Sequence, residues 1–123
     1  MLECRSQQAY AVPMVAMKEI EGFGFEIGRR FRPRRVVLFG SYAGGGAEAD
    51  SDVDLLVEME HEGSGCRAAA EIIRTLKPRF AVDLIVRTEE EVKNRLRQND
   101  SFLRDIVQNG RVIYESTDHG VGR

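Results

Sequence analysis

The chain has 123 residues, 42% of them hydrophobic and 31% charged, a composition that fits one soluble globular domain and excludes a disordered or fibrous chain. Its 18 Lys and Arg against 20 Asp and Glu leave a net charge of -2, which argues against a general nucleic-acid binder. No apolar run approaches the roughly 18 residues needed to span a bilayer. The opening MLECRSQQAYAV carries Glu3 and Arg5 and no apolar stretch of signal-peptide type. Two cysteines, Cys4 and Cys66, are too few for a disulfide framework or a zinc site. The expectation is a cytoplasmic protein with one domain over residues 13–115 and frayed tails at 1–12 and 116–123.

In chain order, Ile20, Phe23, Ile27 and Phe31 recur at helical spacing, so Met14 to about Arg30 should form an amphipathic helix. Gly22, Gly24 and Gly28 lie within it, each costing about 1 kcal/mol relative to Ala. Val36-Val37-Leu38-Phe39 is a buried-strand run ending at Gly40. Val53, Leu55 and Val57 alternate with Asp52, Asp54 and Leu56 as a second strand. Cys66, Ala69, Ala70, Ile73 and Leu76 mark a helix that must end before Pro78. Val82, Leu84 and Val86 alternate with Asp83 and Ile85 as a third strand. Thr88 with Glu91 three residues later reads as a capping box opening the next helix. Phe102, Leu103, Ile106 and Val107 form a further helical stripe stopped at Asn109-Gly110, and Val112-Ile113-Tyr114 closes the sheet. The architecture expected is α/β (α+β), a small mixed sheet with helices packed mainly on one face.

Three features carry chemistry: Gly40-Ser41 directly after a buried strand, Asp52-Val53-Asp54 opening the next, and Asp83 early in the third. Residues i and i+2 of a strand share a face, so Asp52 and Asp54 project together with about 6–7 Å between their backbones. Carboxylates so placed raise one another's pKa unless a cation neutralises them. Mg²⁺ takes oxygen ligands and usually keeps substrate phosphates in its shell. If the third strand lies beside the second, Asp83 joins the pair, and three carboxylates can hold two ions roughly 4 Å apart. Gly40 permits close approach of backbone to phosphate, and Ser41 with the amides behind it can donate to phosphate oxygens. Singly, each feature is also what an ordinary solvated turn or strand end shows; the conjunction on one sheet is what points to phosphoryl transfer.

The stretch Val37-Leu38-Phe39-Gly40-Ser41-Tyr42-Ala43, then Gly45, then Asp50-Ser51-Asp52-Val53-Asp54-Leu55-Leu56-Val57 resembles the signature of the DNA polymerase beta-like nucleotidyltransferases. More narrowly, the chain is similar to the minimal nucleotidyltransferases (MNT), antitoxin partners of HEPN-domain toxins. The resemblance extends over about residues 20–115, through Ala81-Val82-Asp83-Leu84-Ile85-Val86 and the segment from Phe102 to Glu115. It implies a nucleotidyltransferase fold in which Gly40 and Ser41 hold a nucleoside triphosphate and Asp52 and Asp54 bind two Mg²⁺ ions. Asp83 would be the third metal carboxylate, placed to accept the proton of the attacking hydroxyl. The activity implied is transfer of AMP from ATP to a tyrosine hydroxyl of a HEPN toxin. Members of the family commonly carry a basic residue, usually Arg, three places after the Ser, where this chain has Gly44; the resemblance then implies a slower enzyme.

Two further residues are candidates for the nucleotide site: Tyr42 in the active loop, for base stacking or structure, and Arg87 on the Asp83 face of its strand, for phosphate or as a surface residue at the strand's end. Arg29, Arg30, Arg32, Arg34 and Arg35 crowd one segment, which suits a solvated helix end whose cations complement the macrodipole; the other use is a phosphate or partner patch. Cys66 reads as a small apolar helix residue. A non-catalytic nucleotide- or partner-binding antitoxin module and a small-molecule nucleotidyltransferase of the aminoglycoside type are the competing functions. A homo-oligomer is compatible with each.

Overall fold

The structure is a computed structural model, and it describes residues 4–5, 15–48 and 51–116. The elements in order are β1 (Cys4–Arg5), α1 (Met17–Phe31), β2 (Arg35–Phe39), α2 (Ser41–Gly44), β3 (Val53–Glu58), α3 (Gly65–Leu76), β4 (Val82–Arg87), α4 (Glu89–Arg97), α5 (Ser101–Asn109) and β5 (Arg111–Glu115). The strands form one mixed sheet in the order β1-β4-β3-β2-β5. Among the described strands only β3 and β4 run parallel; parallel neighbours need a crossover, and α3 supplies it. No described helix is long and apolar enough to cross a membrane.

Helix ends follow local chemistry. Ser64 caps α3 by accepting the Arg67 N–H at 3.0 Å, and Lys77 leaves that helix in the left-handed region at φ 50°, one residue before Pro78. Thr88 and Glu91 form the reciprocal capping box, at 3.0 and 2.9 Å. Asp100 caps α5 by accepting the Leu103 N–H at 3.1 Å, and this bond holds its carboxyl below the usual aspartate range.

The main core lies on one face of the sheet. Ile20, Phe23 and Ile27 of α1 and Ala69 and Ile72 of α3 cover Val36, Leu38, Val53, Leu55, Val57, Val82, Leu84 and Val86. A smaller cluster lies on the opposite face, where Leu103 and Ile106 of α5 cover Val37 and Leu56, with Phe39, Ile85 and Leu96 packed around them. The α4–α5 pair thus gives the sheet a second, thinner helical layer that the sequence pattern does not announce. Cys4–Arg5 pairs antiparallel with β4, N-terminal to the boundary expected at residue 13; the rest of both expected tails, Ser116 apart, lies outside the described residues. Cys66, expected to pack as a small apolar residue, is instead disulfide-bonded.

The glycines of α1 also have a purpose. A Cβ at Gly24 would meet the Ile113 side chain, and one at Gly28 would run into the Tyr114 ring. Two glycines one turn apart therefore let β5 nest against α1. Gly22 faces open space. Gly22→Ala should raise stability by about 0.5–1 kcal/mol through helix propensity. Gly28→Ala should lower it by about 1–3 kcal/mol through overpacking, and denaturant unfolding of the two variants measures both.

Candidate active site

The site is built where β2 ends and β3 and β4 begin. Burial of Val53, Leu55 and Val57 against α1 and α3 turns Asp54 to the other face of the sheet. Burial of Val82, Leu84 and Val86 does the same for Asp83. The parallel register sets Asp54 directly beside Asp83, on strands about 4.8 Å apart. The Val53 N–H donates to the Ala81 carbonyl at 3.0 Å, which ties the starts of the two strands together. Asp52 stands one residue ahead of β3, after a turn in which the Ser51 N–H donates to the Glu48 carbonyl at 2.9 Å and the Glu48 N–H to the Ser51 hydroxyl at 2.8 Å.

Gly40 ends β2 with φ +78°, and a Cβ there would collide with the Asp54 carboxylate. Two independent constraints therefore require glycine: a left-handed backbone and direct contact with an acidic side chain. Ser41 follows at the start of α2. The Ala43 and Gly44 N–H groups both donate to the Gly40 carbonyl at 3.1 Å, so of the amides expected to face phosphate these two are used within the turn.

The donor set is hard oxygen, suited to Mg²⁺. Asp54 of β3 and Asp83 of β4 are register neighbours, and Asp52 leads into β3. The described residues contain no ready-made group of three or more His, Cys, Asp or Glu at metal-binding spacing.

Residues 25–114 match the model of the family described as nucleotidyltransferase domain. The chain belongs to that family. It is 33% identical over 89 residues to a provisionally named protein adenylyltransferase of Methanocaldococcus jannaschii, covering 69% of this chain and 82% of that one. It is 43% identical over 51 residues to the protein adenylyltransferase MntA of Thermococcus cleftensis, covering 38% of this chain and 52% of that one. A crystal structure of a provisionally named nucleotidyltransferase from Sulfolobus solfataricus superposes with a TM-score of 0.57 at 22% identity, covering 83% of this chain and 82% of the other. That likeness establishes the fold.

Two further candidate nucleotide residues of this nucleotidyltransferase domain stand apart from the aspartates. Tyr42 is only 7% exposed and sits in the main core, where its hydroxyl accepts the Val15 N–H at 3.0 Å. An aromatic at the second position of α2 points back into the helix-covered face, which is the structural one of the two roles open to Tyr42. Arg87 does share the face of Asp83, but four residues on, which is about 13 Å along the strand. Its guanidinium donates to the Val86 carbonyl at 3.0 Å, at the far end of the sheet from Gly40 and Ser41.

The arginine-rich segment divides in the same way. Arg29 pairs with Glu26 at 2.9 Å on the surface of α1. Arg35 and Arg34 approach Glu58 at 2.9 and 4.0 Å, and Arg34 also reaches Glu89 at 3.2 Å. Glu58 is 4% exposed; burial pushes its carboxyl up from the ordinary value while Arg35 and Arg34 pull it down. These arginines neutralise a buried carboxylate at the end of the sheet opposite the aspartates.

Phe39, the last residue of β2, is the register partner of Asp54. Its ring meets Phe102 of α5 edge-on, with centroids 5.7 Å apart and an interplanar angle of 87°, and Phe102 is 52% exposed. Helical periodicity places Phe102 in a core stripe and gives no sign that it meets Phe39.

Gly40→Ala should cost about 1–3 kcal/mol of stability from the disfavoured φ and drive the Asp54 carboxylate from its place. The variant should keep the helical circular dichroism of the parent, melt earlier, and bind Mg²⁺-nucleotide at least about tenfold more weakly by calorimetry.

Proposed function

We propose that this nucleotidyltransferase domain moves AMP from ATP onto a hydroxyl of a partner protein, as the antitoxin of a HEPN-domain toxin whose tyrosine is the acceptor. The observation that carries the reading is the placement of Asp54 beside Asp83 in register, next to Gly40-Ser41. Support for a protein acceptor comes from the two relatives named protein adenylyltransferases.

Asp52, Asp54 and Asp83 would hold Mg²⁺, which offsets the charge of the triphosphate and of the oxygens that develop charge in the transition state. Ser41 donates to a phosphate oxygen, and Gly40 keeps Asp54 pressed to the turn. The acceptor oxygen attacks the α-phosphorus in line with the bond to the bridging oxygen. That bond breaks, pyrophosphate departs on the Ser41 side, and Asp83 takes the acceptor's proton. Most of the rate then comes from positioning and electrostatics.

Gly44 is the observation that favours a second reading, a partner-binding module without turnover, because it withholds a cation the family usually supplies. A side chain at Gly44 would meet no atom within 4 Å, so Arg fits there. Gly44→Arg should lower KM for ATP about tenfold, the worth of one added hydrogen bond to a charged group, without loss of stability.

The deciding experiment incubates the chain with α-labelled ATP, Mg²⁺ and its cognate HEPN protein. Label should reach the partner and fall at least about 100-fold in Asp52→Ala and Asp54→Ala. A tight complex with no transferred label would reject the enzyme in favour of the binding module.

A further inference from the structure

One feature beside the candidate site that has no role yet is the aromatic pair Phe39–Phe102. Phe102 leaves half of its surface in water on the helix that covers the aspartate face of the sheet. Phe39, against which it stands edge-on, is the cross-strand neighbour of Asp54. Opposed residues of an antiparallel pair lie on one face, so Asp83, Asp54 and Phe39 form a row across β4, β3 and β2, with Phe102 at its β2 end.

We propose that Phe102 is the platform on which the nucleobase of the donor nucleotide stacks, buttressed by Phe39. The inference rests on the nucleotidyltransferase reading above and deepens it. In-line transfer fixes the order of groups over the sheet. The acceptor lies on the β4 side, near Asp83; the α-phosphate lies over Asp54; pyrophosphate leaves on the β2 side, near Ser41. The nucleoside is attached to the α-phosphate sideways to this line. The aromatic pair stands on the β2 side of Asp54, within the half of the site that belongs to the nucleotide and away from the acceptor. One flank of that half is the start of α5, where Phe102 is half-exposed and stands edge-on to Phe39. The helix is held there by the Asp100 cap and by the ion pair of Asp100 with Arg95 at 3.2 Å. Stacking of this kind is tolerant of base identity, since every base has a π-face.

The sequence contains no tryptophan, so Phe102→Trp places a single indole at the proposed contact. The test titrates wild type, Phe102→Ala and Phe102→Trp, each with Mg²⁺ and either a non-hydrolysable ATP analogue or inorganic tripolyphosphate. Phe102→Ala should weaken the analogue about tenfold, within the range for one base on one aromatic ring, and leave tripolyphosphate affinity unchanged. The indole fluorescence of Phe102→Trp should be quenched by the analogue and not by tripolyphosphate. Equal affinities of wild type and Phe102→Ala for the analogue, or equal losses for both ligands, would overturn the stacking role while leaving nucleotidyl transfer intact. Loss of partner binding in Phe102→Ala with unchanged analogue affinity would overturn it too, making Phe102 a docking residue. A wild-type chain that takes up neither ligand would refute the nucleotidyltransferase reading beneath it.

Discussion

The parallel register of β3 and β4 is the constraint on which the site depends. Side chains on a strand alternate between faces, so a slip of one residue would send Asp83 into the helix-covered core and leave Asp54 without its neighbour. The slip is prevented by apolar burial: Val53, Leu55 and Val57 on one strand and Val82, Leu84 and Val86 on the other all lie under α1 and α3. The hydrophobic core therefore aims the carboxylates. Each buried Val or Leu contributes about 1.5–3 kcal/mol, and their combined preference for one face holds two acidic groups side by side, an arrangement with an electrostatic cost of its own.

The same sheet shows two ways of treating a carboxylate. Glu58 ends β3 almost fully buried, with Arg34 and Arg35 placed against it. Asp54 opens the strand about 13 Å away, beside a glycine turn and another aspartate. At one end of the sheet two guanidinium groups stand against Glu58. At the other end Asp54 and Asp83 are register neighbours, and Asp83 is also the register partner of Arg5 on β1; this second end is the one proposed as reactive.

Much of this is legible in the residues. Strict alternation in 53–57 and 82–86, the Thr88–Glu91 capping box and Gly40-Ser41 are local signals, and local signals are what a linear pattern records. What escapes it depends on non-local contacts. The two-residue strand Cys4–Arg5 has no periodicity and exists because β4 offers it an edge. Gly24 and Gly28 of α1 read as a weakness until Ile113 and Tyr114 arrive from β5. Tyr42 reads as a loop residue because its hydroxyl's partner, Val15, is 27 positions away. Arg87 falls on the expected face, but its distance from Asp83 along the strand takes it out of reach of the turn at Gly40. Phe102 reads as core because the helical stripe it shares with Leu103 and Ile106 is real; only the folded chain shows that half of its surface stays exposed.

The central claim is that Asp54 and Asp83 work as a joint cation site. Electron paramagnetic resonance of Mn²⁺ in the presence of a non-hydrolysable ATP analogue tests it most directly, because free and protein-bound ions are resolved. The wild-type chain should sequester Mn²⁺ in a nucleotide-dependent manner, and Asp54→Asn and Asp83→Asn should each abolish most of that uptake. Undiminished Mn²⁺ sequestration in either variant would contradict the account.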